Sequence, residues 1–407
     1  MKRLLSTREL VAGHAVTSPL LRTSVGLSFW GGVDPTSSLV VDRTHPLHGE
    51  TLRDKILAVP NGRGSCTGSQ VILELILNGI APRAMVLRQP DSILALGALV
   101  AEEMFDVSIP IVSIGEHRFD ELLSVGDDRS ELFAAVNGDT VLYGPSELDV
   151  RIALDESCPR RSLQPAPLEL SLTDEELNMC SGTDATAIAM RILTRAATID
   201  GATSLLPISQ AHIDGCTYIG PGGLRFAQRL AEMGGHVRVP TTLNSNSVDR
   251  RRWQSLGVPP SLGAPAHALG DAYVQMGCSD RSFTCAPYLL STRPEYEDRI
   301  AWGESNAVVF ANSVIGARTE KLADYLDICC AITGRVPLSG MHLDENRAGC
   351  VVLDVSELAS SLTVEREDNE DAIIPLIGYL CGMRSESKVQ SHTIPAHRDI
   401  RISRLDV

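Results

Sequence analysis

A glycine and serine loop, Gly62-Arg63-Gly64-Ser65-Cys66-Thr67-Gly68-Ser69, opens a helical pattern within an alternating run of strands and helices, and this arrangement most limits the fold. Gln70 to Asn78 places Val71, Leu75 and Asn78 at three-to-four spacing and is stopped by Gly79, which predicts a short helix. Ala84 to Leu87 reads as a strand, Ile93 to Met104 as a second helix, and Ile109 to Ile114 as a second strand. Such alternation predicts a βαβ-type layer whose helices cover a mostly buried sheet. We therefore expect an α/β fold, with a first domain over residues 1–150.

Residues 151–170 change in composition, with Cys158-Pro159-Arg160-Arg161 and Pro165-Ala166-Pro167 marking a linker. A second α/β domain is expected over residues 171–383. Ser171 precedes Thr173-Asp174-Glu175-Glu176, whose carboxylates suit a helix N-terminus, and the helical pattern recurs through Ile188 to Ala197. Further on, Leu224 to Met233 reads as a helix, His236 to Pro240 as a strand, Val308-Val309-Phe310 as a strand, and Thr319 to Ile332 as a helix. One more helix is expected over Ile373 to Gly382, after an acidic run from Glu365 to Asp371, and residues 384–407 read as a divergent tail.

Lys and Arg number 36 against 51 Asp and Glu, a formal charge of −15, so a nucleic acid or an anionic membrane would meet an opposing average field. Neither partner is expected. Ten cysteines in 407 residues are too few for a disulfide-built secreted scaffold, and the start, MKRLLSTRELVAG, lacks the apolar core of a signal peptide. The longest apolar or glycine run, Ile93 to Ala101, is too short to span a membrane. A cytoplasmic protein with reduced thiols is the expectation.

Several stretches bear chemistry. In the loop around Ser65, glycines let the backbone approach a ligand, amides at a helix start bind anions, and Arg63 adds a forked donor. A serine among such donors can act as a base or nucleophile, although a capped glycine turn has the same composition. No Gly-Lys-Ser/Thr follows, so this is not a nucleotide P-loop. Cys278 and Cys285 sit seven apart in a loop ended by Pro287, where two thiols could ligate iron, zinc or an iron–sulfur cluster, or be unrelated. Zinc-assisted hydrolysis at this pair is the weakest of these readings. Cys329-Cys330 reads as core packing, and Cys66, Cys158, Cys180, Cys350 and Cys381 have no metal-like spacing. Cys216 follows His212-Ile213-Asp214-Gly215 in a loop that could line a site, and Gly220-Pro221-Gly222-Gly223 could cradle an anion. Two polar loops, Val239 to Ser247 and Gly303 to Ala307, follow or lead into strands, where α/β proteins place ligand groups.

Five strings occur in order: Phe29-Trp30-Gly31-Gly32-Val33-Asp34, Pro60-Asn61-Gly62-Arg63-Gly64-Ser65, Val239-Pro240-Thr241-Thr242-Leu243-Asn244, Phe283-Thr284-Cys285-Ala286-Pro287-Tyr288 and Gly303-Glu304-Ser305-Asn306-Ala307. Together they resemble the aconitase X family in its fused form, up to about Gly382. The resemblance implies a small swivelling β/α domain followed by an aconitase-like α/β/α large domain, here incomplete at its C-terminal end. It further implies a dehydratase in which iron, as a cluster or a single ion held by thiolates, acts as a Lewis acid. Ser65 would take the proton beside the substrate carboxylate, with Arg63 and the loop amides stabilising the charge. Gly64, Cys66, His212, Asn244, Glu304 and Asn306 would line the substrate pocket, and Cys285, Cys278 and Cys216 would bind the metal. The implied substrate is a small carboxylate: cis-3-hydroxy-L-proline, giving Δ1-pyrroline-2-carboxylate, or mevalonate 5-phosphate as in split members. The alternative is an inactive relative that binds a small anion.

Overall fold

A computed structural model describes residues 2–5, 8–125, 131–157 and 170–347. Most of the expected linker, Cys158, Cys350, Cys381, the helix expected over Ile373 to Gly382 and the tail lie outside these described residues.

The N-terminal unit is built on an eight-stranded sheet. Its strands are β1 (Lys2–Leu5), β2 (Arg8–Val11), β3 (Val16–Arg22), β4 (Ile56–Val59), β5 (Ala84–Leu87), β6 (Ile111–Ser113), β7 (Phe133–Asn137) and β8 (Thr140–Gly144). They lie in the order β1-β8-β7-β3-β4-β5-β6-β2, with β3 to β6 parallel and the flanking pairs antiparallel. Four helices accompany them: α1 (Gly68–Leu77), α2 (Ser92–Phe105), α3 (Glu116–Ser124) and α4 (Glu147–Ser157). Leu57, Val59, Met85 and Leu87 face a core shared with α1 and α2, while Ile56, Ala58, Ala84 and Val86 face Phe119 and Leu122 of α3. A sheet covered on both faces requires apolar residues at every position, which is why β4 and β5 read as continuous apolar runs.

α1 and α2 cross where Gly97 leaves no room for a side chain. A Cβ there would lie 2.5 Å from the Ser69 carbonyl oxygen and 2.8 Å from Ile72 Cβ. Gly97→Ala is therefore expected to push α1 outward and destabilise the chain by about 1–3 kcal/mol, read as a lower urea midpoint at unchanged slope. An unchanged midpoint would contradict this close packing.

The C-terminal unit contains α5 (Asp174–Cys180), α6 (Ala185–Ile199), β9 (Leu205–Pro207), β10 (Gln210–Ile213), α7 (Pro221–Glu232), β11 (Thr241–Leu243), α8 (Pro260–Gln275), β12 (Ile300–Trp302), α9 (Ser305–Phe310), α10 (Leu326–Thr333) and β13 (Arg335–Pro337). β10 lies between β11 and β12 in a parallel sheet, and β9 pairs with β13. The helix start expected at Thr173 to Glu176 is found, and a Thr173–Glu176 capping box begins α5 there.

Three expected elements differ. His236 to Pro240 is not a strand; the ladder starts at Thr241, beyond Pro240, which has no N–H to give. Val308 to Phe310 is helical, because the Glu304 side chain accepts from the Asn306 amide and starts α9 despite the β-branched pair. The helix expected from Thr319 begins only at Leu326, because buried Tyr325 has φ +82°.

The units dock through α1 against α7 and α2 against α6. Arg195 bridges to Glu102 and Glu103 at 2.7 and 3.1 Å. The glycines at the start of α7 do receive an anion, and it belongs to the protein: the Gly222 amide donates to Glu74 Oε2 of α1 at 2.7 Å. A Cβ at Gly220 or Gly222 would lie 2.7 Å from that carboxylate, which explains the glycines.

Candidate active site

The loop from β4 into α1 sits at the carboxyl end of a parallel strand. Asp91 holds its start, accepting from the Gly62 amide at 2.9 Å while capping α2 through Leu94. Gly64 has φ +91°, a conformation that side chains disfavour, and turns the chain so that Ser65 follows. Ser65 is half-buried; its Oγ lies 3.0 Å from Thr67 Oγ1 and accepts from the Thr67 amide at 3.2 Å. Ser65 also lines a shallow recess with Leu27, Phe29, Gly62, Arg63 and Gly64. Arg63 is exposed and its guanidinium pairs with Asp42 at 2.6 Å.

Residues that follow Ser65 meet the C-terminal unit. Cys66 Sγ donates to Asp214 Oδ2 at 3.0 Å, and Ser69 Oγ lies 3.1 Å from the Asp324 carbonyl oxygen. Gln70 donates to Asp324 Oδ2 at 2.6 Å, and Lys321 donates to the Gly64 carbonyl oxygen at 2.9 Å. Asp214 follows β10; its amide and that of Gly215 donate to Asp327 Oδ2 at 2.7 and 3.2 Å. Asn244, after β11, donates to Asp214 and to Glu304 Oε2, the latter at 2.7 Å.

This is a buried acidic cluster. Burial, then Asp324, pushes the Asp214 carboxyl up; burial, then Asp327, pushes Asp324 up to about 7; burial pushes Asp327 up to about 7. Glu304 is raised by burial and then by Asp214, and the Cys66 and Cys216 thiols are raised well above their usual range, chiefly by burial. No cationic side chain is paired with Asp214, Asp324 or Asp327 among the described residues; their partners include Cys66, Thr67, Gln70, Asn244, Glu304 and backbone amides. Tyr325 holds its strained φ between two of these acids, fixed by the Phe226 ring at 4.6 Å.

The structure distributes the other expected residues unevenly. His212 is buried, its Nδ1 2.7 Å from Thr242 Oγ1 and its ring edge-on to Trp302, and burial lowers its pKa to about 3. Asn306 is exposed, with its amide 3.4 Å from Glu304 Oε1. Cys216 and Cys278 are buried and Cys285 is exposed; among the described residues the donor atoms that converge within 4.8 Å are those of Cys66, Asp214 and Asp324. Buried acids beside a thiol, with no cationic side chain paired to them, fit a metal cation. Asp214, Asp324, Asp327, Gln70 and Lys321 were not among the expected site residues. The available signal was Asp324 and Asp327 within the apolar run from Leu322 to Ile332, where buried charge calls for a partner.

A separate buried group sets a pH response. His342 has no hydrogen bond to either ring nitrogen among the described residues, and burial, aided by Arg299, Arg318 and Arg347, holds its pKa down to about 3. The neutral ring contributes stability that is present above about pH 6.5 and is lost as pH falls toward 3. His342→Gln is expected to flatten the acid side of a plot of urea midpoint against pH by about one proton. An unchanged slope between pH 6 and 4 would contradict the assignment.

Residues 4–140 match the aconitase X swivel domain and residues 168–345 match the aconitase X first domain. The phosphomevalonate dehydratase small subunit of Methanothermobacter thermautotrophicus is 39% identical over 114 residues, which is 28% of this chain and 80% of that protein. The chain belongs to the aconitase X family. Within the family it is similar to the cis-3-hydroxy-L-proline dehydratase of Pseudomonas aeruginosa, 50% identical over 394 residues, covering 95% of this chain and 63% of the relative. The protein of that name from Hypocrea jecorina is 43% identical over 381 residues, with 92% and 61% covered. The chain thus spans about three-fifths of the length of these two relatives. Among the described residues no helix is long and apolar enough to cross a membrane.

Proposed function

We propose that this aconitase X chain is a hydro-lyase that removes water from a small hydroxy acid, with cis-3-hydroxy-L-proline as substrate. The observation that carries the reading is the meeting of the Gly64-Ser65-Cys66 loop of the swivel unit with the acidic cluster of the first domain, through Cys66 to Asp214 at 3.0 Å and Lys321 to Gly64 at 2.9 Å. Similarity to two cis-3-hydroxy-L-proline dehydratases supports the substrate.

In this reading Ser65, as its alkoxide, removes the proton from the carbon beside the carboxylate while Thr67 holds its oxygen in place. The C–O bond on the neighbouring carbon breaks as the double bond forms, and the departing hydroxide takes up that proton from Ser65 to leave as water. Loop amides and Arg63 bind the substrate carboxylate, which requires Arg63 to exchange Asp42 for the ligand. Asn244, Glu304, Asn306 and His212 line the pocket. A bound metal ion would polarise the departing hydroxyl. For an iron–sulfur cluster the proposed ligands are Cys285, Cys278 and Cys216. Arg63→Ala is expected to raise KM about tenfold or more with a smaller change in kcat, measured by initial rates; equal loss in both would move Arg63 from binding to chemistry.

A phosphorylated hydroxy acid is the second reading, favoured by the similarity of the swivel unit to a phosphomevalonate dehydratase small subunit. Parallel assays with cis-3-hydroxy-L-proline and mevalonate 5-phosphate separate the two. Turnover of neither, with binding retained, would favour an anion-binding relative without activity.

A further inference from the structure

Arg63 lines the same recess as Ser65, and its guanidinium lies 2.6 Å from Asp42 Oδ2. The two halves of this ion pair are held differently. Arg63 is exposed, while Asp42 is fixed: its Oδ1 accepts from the Thr44 amide at 2.9 Å and from the Thr44 hydroxyl at 2.7 Å. Its own amide donates to the Gly32 carbonyl oxygen at 3.3 Å. The Thr44 contacts, ahead of Arg63, hold the Asp42 carboxyl below its usual range, so Asp42 stays ionised and in place when Arg63 swings away.

The chemistry of the proposed substrate, on whose reading this inference rests, meets that geometry. In cis-3-hydroxy-L-proline one carbon bears the carboxylate, the ring ammonium and the proton to be removed. With the carboxylate on Arg63 and the proton at Ser65, the ammonium is brought beside the carboxylate that Arg63 has just released. We propose that Asp42 binds the ring ammonium of the substrate, so that the Arg63–Asp42 pair opens into a clamp for a zwitterion. One ion pair becomes two, Arg63 with the substrate carboxylate and Asp42 with the ammonium, and no charge is left unpaired. Asp42 Oδ2, the atom freed by Arg63, accepts an N–H of the ammonium, while Thr44 keeps Oδ1. A hydroxy acid without the ammonium, mevalonate 5-phosphate included, would take Arg63 and leave Asp42 facing a second anion. The same carboxylate therefore selects against it.

Calorimetric titration of the 407-residue chain with L-proline and with (S)-tetrahydrofuran-2-carboxylate tests this, because the two share a ring and a carboxylate and differ in the ammonium. Wild type is expected to bind L-proline about tenfold or more tighter, as a hydrogen bond between charged groups provides. Asp42→Asn keeps the acceptor for Thr44 and loses the charge. It is expected to weaken L-proline about tenfold or more, and to bind tetrahydrofuran-2-carboxylate as tightly as wild type or tighter, since Arg63 is freed from a competing carboxylate. Unchanged L-proline affinity in Asp42→Asn would overturn the proposal, as would equal weakening of both ligands, which would mark Asp42 as a support of the loop alone. A wild-type chain that does not prefer L-proline, or binds neither compound, would overturn it without any variant. Turnover separates this inference from the reading beneath it. Dehydration of cis-3-hydroxy-L-proline at the same KM in wild type and Asp42→Asn overturns the ammonium site alone, while the predicted binding without dehydration sinks the dehydratase reading alone.

Discussion

Ser65→Ala is expected to reduce dehydration of cis-3-hydroxy-L-proline by about 10²- to 10⁴-fold, the usual contribution of a positioned general base. The substitution removes the atom that Thr67 holds at 3.0 Å and leaves the glycine turn, the Asp91 contacts and the α1 packing in place. Stability and substrate binding are therefore expected to change little, so the loss falls on kcat. Exchange of the substrate proton beside the carboxylate with deuterated solvent isolates the step: wild type exchanges it and Ser65→Ala does not. Exchange at the wild-type rate in the variant would remove Ser65 from the role of base.

Glu74→Ala is expected to have the largest effect away from the reacting groups, destabilising the chain by about 1.5–3 kcal/mol. Its carboxylate receives the Gly222 amide at 2.7 Å and Asn78 Nδ2 at 3.1 Å, so truncation strands a buried donor at the start of α7. Glu74→Gln keeps an acceptor and loses the charge, so it should fall between wild type and alanine. The same helix carries the residues that follow Ser65, and a loosened α1–α7 contact should lower kcat in step with stability. Urea midpoints of the two variants check the order; equal stability of all three proteins would show that the contact does not hold the units together.

How much of this was legible in the sequence depends on how local each feature is. The strand Ala84–Leu87 is found as predicted, and the glycine and serine loop lies where the alternation places it, because apolar periodicity and glycine chemistry act over a few residues. The antiparallel strands β7 and β8 at the sheet flank were not anticipated, since their pairing depends on partners far along the chain. The acidic cluster was hidden for the same reason: Cys66 and Asp214 are 148 residues apart, and only the fold brings them within 3.0 Å. A helix was expected from Thr319 to Ile332, but the positive φ of Tyr325 delays its start to Leu326, and Asp324 and Asp327 are both buried. Likewise, the glycines of Gly220 to Gly223 allowed an anion cradle by composition, while the carboxylate they receive, Glu74, could be named only from the docked units.

The most direct measurement is an NMR time course of the metal-loaded 407-residue chain with cis-3-hydroxy-L-proline in deuterated buffer. Loss of the proton beside the carboxylate and accumulation of Δ1-pyrroline-2-carboxylate, both abolished in Ser65→Ala, are the predicted result. Substrate that binds yet keeps that proton and its hydroxyl, in wild type as in the variant, would contradict the assignment of this site to dehydration.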